Sequence, residues 1–244
     1  MQNQSLLECK GLTKRFGGVH AVKEVDIKIQ AGMRMGIIGP NGAGKTTLFN
    51  MFTGEIKPSA GAIYFKGHAI HGMKPHFISK MGIGRTFQIV RVFDELSVYE
   101  NVLIGAVAKN FHFKPTREQH DAVRRILSLT KLDSQKDVMA KHLTVAKKKH
   151  VGLAIALVGN PQLLLLDECM AGLTFVETDE MIEFLHKINT DMGITLVVVE
   201  HVMKVVMELC ENIVVIASGE KIAEGSPKDI VSNPHVVDVY LGES

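Results

Sequence analysis

The sequence predicts an α/β fold: a parallel sheet covered on both faces, an antiparallel β portion at the front and a helical insertion. Three observations lead there. A Gly-rich loop, Gly39-Pro40-Asn41-Gly42-Ala43-Gly44-Lys45-Thr46-Thr47, lies between a strand-like and a helix-like run. Residues 163–166 and 194–199 are almost continuously apolar, as in parallel strands with no wet face. Residues 101–158 read mainly as helix and interrupt the alternation of strands and helices.

The elements follow in order. Residues 6–14 and 22–29 read as strands with a turn at Gly17-Gly18. In the second, Val25, Ile27 and Ile29 alternate with Glu24, Asp26 and Lys28, so one face is wet. Residues 33–38 form a strand that feeds the glycine loop, and residues 46–52 the helix that leaves it. Residues 62–65 continue the β-rich front, with a turn at Lys66-Gly67-His68 and a Gly-rich bend at Gly82 and Gly84. Within the helical stretch, Ala122, Val123, Ile126, Leu127 and Leu129 make one amphipathic face. Residues 109–114 and 133–137 read as connections. Residues 213–222 read as a hairpin turning at Ser218-Gly219, followed by short terminal helices. The predicted organisation is a single domain, 1–244. Residues 1–87 and 159–244 make the core with its antiparallel β portion, and 88–158 the helical subdomain.

Composition narrows the function. The 244 residues suffice for one large domain or a core with a subdomain. With 46% hydrophobic and 22% charged residues, a packed core is expected. A net charge of only +2 and the lack of Trp argue against a nucleic-acid partner. No apolar run approaches the length that crosses a bilayer. Residues 1–10 lack the basic start and apolar stretch of a signal peptide. Cys9, Cys169 and Cys210 are far apart and odd in number, which fits a reducing cytoplasm.

The chemistry sits at strand ends. Residues 39–47 fit G-x-x-x-x-G-K-[ST], the phosphate loop of a P-loop NTPase core. Its glycines let backbone N–H groups crowd around phosphate oxygens, and the next helix aims its positive end at the anion. Lys45 reaches the β- and γ-phosphates and the Thr46 hydroxyl holds Mg²⁺. In a parallel sheet, ligands bind beyond the carboxyl ends of the strands. Asp167-Glu168 and Glu200-His201 lie at two such ends. Asp167 reads as a Mg²⁺ holder and Glu168 as the group that polarises attacking water. His201 reads as a γ-phosphate contact. The plainer alternatives are an acidic pair capping a helix and a surface or core histidine. Gln88 in Arg85-Thr86-Phe87-Gln88 reads, by itself, as a solvated amide.

The order Phe16, residues 39–47, Gln88, Asp167-Glu168 and His201 resembles the nucleotide-binding subunit of ATP-binding-cassette (ABC) transporters over essentially the whole chain. Finer features resemble the branched-chain amino acid importer subfamily: Gly82-Ile83-Gly84-Arg85-Thr86-Phe87-Gln88, Met170-Ala171-Gly172-Leu173 and Val239-Tyr240-Leu241-Gly242. The resemblance implies an ABC ATPase fold and hydrolysis of ATP with Mg²⁺. It implies adenine stacking on Phe16 with Ala21 nearby. It gives Gln88 to Mg²⁺ or the attacking water and to coupling with the helical insertion. It makes His201 a γ-phosphate sensor. It also implies a signature at residues 143–147 that touches ATP bound by a second subunit. Implied partners are that second ABC ATPase subunit, in a homo- or heterodimer, and transmembrane permease subunits. A periplasmic or extracellular substrate-binding protein is an indirect partner. The implied location is the cytoplasmic face of the cell membrane, held there by the permease.

The pattern departs from the family at two places. The usual Leu-Ser-Gly-Gly-Gln signature reads Leu143-Thr144-Val145-Ala146-Lys147. Thr144 keeps a hydroxyl able to bond phosphate, and Ala146 is small enough for its amide to approach. The alternative is a decayed site on a lysine-rich, solvated helix face. In Gly172-Leu173-Thr174-Phe175, Thr174 stands where the family commonly has Asp or Asn. Three further readings therefore stay open: an ATP-binding partner subunit with weak catalysis, a non-transport ABC ATPase, and an ATPase of lipopolysaccharide export.

Overall fold

The computed structural model of the chain describes residues 5–87, 92–109 and 114–241. Gln88 lies outside the described residues. The front of the chain forms β1 (Leu7–Phe16) and β2 (Val19–Ile29), an antiparallel pair turning at Gly17-Gly18. As the alternation requires, Val25, Ile27 and Ile29 of β2 are buried, and Glu24, Asp26 and Lys28 are exposed. Next come β3 (Arg34–Ile38), α1 (Lys45–Phe52), β4 (Ala60–Phe65) and β5 (His68–Ala69). Together, β1, β2, β4 and β5 make an antiparallel sheet in the order β2-β1-β4-β5.

Two short elements follow: α2 (Pro75–Met81), where the sequence predicts no element, and β6 (Ile83–Arg85), where it predicts a Gly-rich bend. Gly82 caps α2 in the left-handed region, φ 112°, and Gly84 lies inside β6 rather than in a turn. The strand forms because Ile83, Gly84 and Arg85 pair in parallel with Leu163, Leu164 and Leu165. The chain then builds α3 (Val98–Lys109), α4 (Arg117–Leu129) and α5 (Val145–Val158), with 3₁₀ turns at Asp133–Gln135 and Ala140–His142. Thr116 and Gln119 close a reciprocal capping box at the start of α4. Its face of Val123, Ile126 and Leu127 is buried, while Ala122 and Leu129 sit half-buried at the edges.

The remainder alternates: β7 (Leu163–Asp167), α6 (Phe175–Met192), β8 (Thr195–Val199), α7 (Met203–Leu209), the hairpin β9 (Asn212–Ala217) and β10 (Glu220–Gly225), then α8 (Pro227–Val231) and α9 (Pro234–Leu241). The main sheet runs β10-β9-β3-β8-β7-β6, parallel except for the β9–β10 hairpin.

The continuous apolar runs now have a physical reason. Side chains alternate across a strand, and both faces of this sheet are covered. Ile37, Leu163, Leu165, Val197 and Val199 enter one core with α1 and the antiparallel sheet. Ile38, Leu164, Leu166, Leu196 and Val198 enter a second core with residues of α3, α4, α5, α6 and α7. This places the carboxyl ends of β3, β7 and β8 side by side at one edge.

Candidate functional site: a phosphate loop facing two strand ends

β3 lies between β8 and β9 and delivers the glycine loop at its carboxyl end. Close backbone approach dictates the glycines. A Cβ on Gly39 would lie 1.9 Å from the Ile216 carbonyl oxygen, and one on Gly44 would lie 2.2 Å from that of Ala21. Gly44 also has φ 106°, a region that a side chain disfavours. The loop is pinned further where the Gly219 N–H donates to the Ala43 carbonyl at 3.1 Å. Gly44 is the N-cap of α1, with no side-chain cap and no acidic residue in the first turn. Such a terminus suits an anion, because its first N–H groups and the helix dipole point the same way. The buried Lys45 ammonium adds a full positive charge. Its Nζ donates to the carbonyls of Gly39 at 2.6 Å and Pro40 at 2.8 Å.

A cavity of about 170 Å³ opens over this loop. Ala21, Asn41, Gly42, Ala43, Gly44, Lys45, Thr46 and Thr47 line it, and Glu168 and His201 close it from the strand ends. His201 Nε2 lies 2.7 Å from Glu168 Oε1. Glu168 holds φ 46°, uncommon for a residue with a Cβ, and its N–H donates to the Val199 carbonyl at 2.9 Å. The fold thus brings loop, carboxylate and imidazole together from three separated stretches of sequence.

Other predicted residues lie elsewhere. Asp167 is buried at the end of β7 but does not line the cavity. Its Oδ2 accepts from Arg85 Nη2 at 2.7 Å. Phe16 ends β1 half-exposed, under the Lys14 ammonium, and is no core aromatic. Thr144 is the N-cap of α5, accepting from the Lys147 N–H at 3.3 Å; Val145 beside it is exposed, and Ala146 is half-buried. None of these three lines the loop cavity of its own chain. Thr174 caps α6 in a reciprocal box with Glu177, and Phe175 next to it is 86% exposed.

Three charged residues whose side chains are largely buried receive no role from the sequence. Arg85, quoted there only within a motif, ties β6 to α1: Nη1 donates to Asn50 Oδ1 at 2.6 Å, while Nη2 holds Asp167. Glu200 accepts the Met170 N–H at 2.8 Å, and desolvation raises its pKa. Lys149 belongs to the lysine run for which a solvated helix face is the alternative reading, yet it is 6% exposed and its pKa is pushed down by desolvation. A charge run alone carries no sign of which member turns inward.

A second cavity, of about 260 Å³, lies away from the loop between α2, β6, α3 and α5, lined among others by Glu55, Ile78, Arg85, Phe87, Gly105 and Ile155. Among the described residues, no helix is long and apolar enough to cross a membrane.

The ABC transporter family profile matches residues 22–171, which span the loop, Glu168 and α5. This chain belongs to the ABC transporter family. A second profile, the branched-chain amino acid ATP-binding cassette transporter, matches residues 220–244 of this ABC ATPase. The chain is 36% identical to the high-affinity branched-chain amino acid transport ATP-binding protein BraF of Pseudomonas aeruginosa, over 99% of this chain and 100% of that one. The protein of that description in Escherichia coli K12, LivG, is also 36% identical, with 99% and 100% covered. The crystal structure of the ADP conformation of MJ1267, an ATP-binding cassette of an ABC transporter, superimposes with a TM-score of 0.88 at 31% identity, covering 98% of this chain and 99% of that one.

The donor set fits a hard divalent cation. Among the described residues no group of three or more His, Cys, Asp or Glu side chains could hold a metal alone. The cavity does offer the oxygens of Thr46 and Glu168. That sparse oxygen set suits Mg²⁺, which keeps its waters and binds through one or two protein ligands plus substrate phosphates.

Proposed function

We propose that this ABC ATPase is the energy-supplying subunit of an importer for branched-chain or related amino acids, and that it dimerises around MgATP to drive a permease. The observation that carries the reading is the single cavity shared by the uncapped start of α1, Lys45, Glu168 and His201. In this reading the backbone N–H groups of residues 41–47 and the Lys45 ammonium grip the β- and γ-phosphates of the substrate ATP. The adenine stacks on the exposed face of Phe16, beside Ala21. Thr46 would hold Mg²⁺ from within the cavity, and Asp167, which lies outside it paired with Arg85, would hold the ion through water, with Gln88 contacting Mg²⁺ or the attacking water. When bound, the cation neutralises charge on the phosphates. Glu168 accepts a proton from the attacking water, and His201, hydrogen-bonded to it, orients that carboxylate and meets the γ-phosphate.

The start of α5, with Thr144 and the Ala146 amide, closes on ATP held by a second subunit. The exposed apolar side chains Val145 and Phe175 support burial of that face against a partner. Residues 88–158 act as a helical subdomain that moves on closure. The cavity beside Arg85 and Phe87 receives a cytoplasmic loop of the permease, which holds the subunit at the membrane and acts with an external substrate-binding protein.

Glu168→Gln is expected to bind MgATP normally, to lose about 100-fold or more in turnover, and to accumulate as ATP-bound dimers in size-exclusion chromatography. ATP-bound monomers with unchanged turnover would refute the reading. The second reading, an ATP-binding partner with weak catalysis, is favoured by Val145 and Lys147 in the signature. Turnover of the assembled transporter that is unchanged by Thr144→Ala would favour it.

A further inference from the structure

Lys149 lies five residues beyond the N-cap Thr144 on α5, the helix whose start is assigned above to a second subunit's ATP. A buried ammonium is unfavourable unless its donors are matched. Lys149 Nζ finds main-chain acceptors: the Cys169 carbonyl at 2.9 Å and the Glu168 carbonyl at 3.3 Å. Both belong to the turn that leaves β7 carrying the Glu168 side chain toward the loop cavity. That turn is strained, because Glu168 sits at φ 46° with a Cβ. Strain of this kind persists only where surroundings over-determine the backbone. Here three contacts do so. Val199 on β8 accepts the Glu168 N–H, Glu200 accepts the Met170 N–H, and Lys149 grips the two carbonyls from a helix outside the sheet.

We propose that Lys149 is a positioning residue: its ammonium fixes the Glu168 and Cys169 peptides and so aims the Glu168 carboxylate at His201 and the phosphate loop. The inference rests on the reading of Glu168 as the group that polarises water. It has a mechanical corollary. Thr144 and Lys149 share one rigid helix, so an anion that seats the start of α5 at one nucleotide also sets the carboxylate at the other. The two nucleotides of a dimer then communicate through about one and a half helical turns.

The test uses the full-length chain with MgATP and compares Lys149→Met, Lys149→Arg and Glu168→Gln. Amide hydrogen exchange of a peptide covering residues 166–172, MgATP affinity by calorimetry, and kcat and KM for hydrolysis are measured together. Lys149→Met should speed exchange of that peptide about tenfold and lower kcat about tenfold, while affinity and KM stay within about twofold. Lys149→Arg, which keeps a buried donor, should recover most of kcat. Native exchange and native kcat in Lys149→Met, with Glu168→Gln inactive, overturn the inference. Native turnover in Glu168→Gln overturns the underlying reading instead, and the exchange result still decides whether Lys149 holds the turn. If Lys149→Met does not fold, Lys149→Gln is judged on the same thresholds.

Discussion

At the scale of single residues, the phosphate loop is governed by distances that leave no room for a side chain. The missing Cβ of Gly44 matters twice, through φ 106° and through the Ala21 carbonyl 2.2 Å from where it would stand. Gly44→Ala should therefore lower the free energy of unfolding by about 1–3 kcal/mol, measured by urea denaturation. It should also weaken MgATP binding, since shifting the loop by a few tenths of an ångström misaligns its amides. Losing one charge-assisted hydrogen bond is worth about 1.5–3 kcal/mol, or roughly ten- to hundredfold in calorimetric Kd. The loop was legible in the sequence because its requirements are local: glycines, a lysine and a hydroxyl at fixed offsets. Arg85, Lys149 and Glu200 were not. Their roles depend on which way a long side chain turns once distant segments meet, and a lysine run or a strand-end glutamate reads the same whether buried or solvated. All three thiols are free and buried. Burial pushes Cys9 and Cys210 up to about 12 and raises Cys169 as well, so all three disfavour the thiolate.

At the scale of elements, helix starts contribute to the pH sensitivity. Glu100 near the start of α3, Glu177 in α6 and Asp229 in α8 accept backbone and hydroxyl hydrogen bonds, which hold their carboxyls below the ordinary range. A depressed carboxylate contributes stability above the unfolded value, near 4.3 for Glu and 3.9 for Asp. That contribution is lost as pH falls through the depressed folded values. Glu200 works in the opposite sense: burial raises it, so its contribution is present at low pH and is lost as pH climbs through the raised value. Urea midpoints should accordingly fall as pH drops below about 4. Thr174→Ala, which dismantles one box, should flatten that acid limb. β2 and α4 were legible from periodicity and the buried strands β7 and β8 from their apolar runs, whereas α2 and β6 were not legible. With seven and three residues they are too short to display a period, and β6 exists because β7 is there to pair with it.

At the scale of the whole molecule, two cores share one sheet, and the nucleotide cavity sits where three strand ends converge. A ligand bound there ties together the loop, the turn after β7 and the turn after β8, so occupancy should raise global stability. At a hundredfold excess over Kd the gain is about 2.7 kcal/mol, which for a chain of this size shifts Tm by about 5–10 °C. Scanning calorimetry with MgATP should show that shift, and Lys45→Ala should abolish it. This cavity was foreseeable from the order of its motifs. The distance between Asp167 and the cavity was not, because the pairing of Asp167 with Arg85 depends on β6 lying beside β7.

The four consecutive leucines of β7 look interchangeable on paper, yet they answer to different neighbours. Leu163 and Leu165 face the compartment under the glycine loop, and Leu164 and Leu166 face the one under the helices. Adjacent letters of the chain thus act as separate adjusting screws. Resizing one should disturb the packing beneath the nucleotide loop, and resizing the next the packing beneath the helices, each measurable as a separate loss of stability.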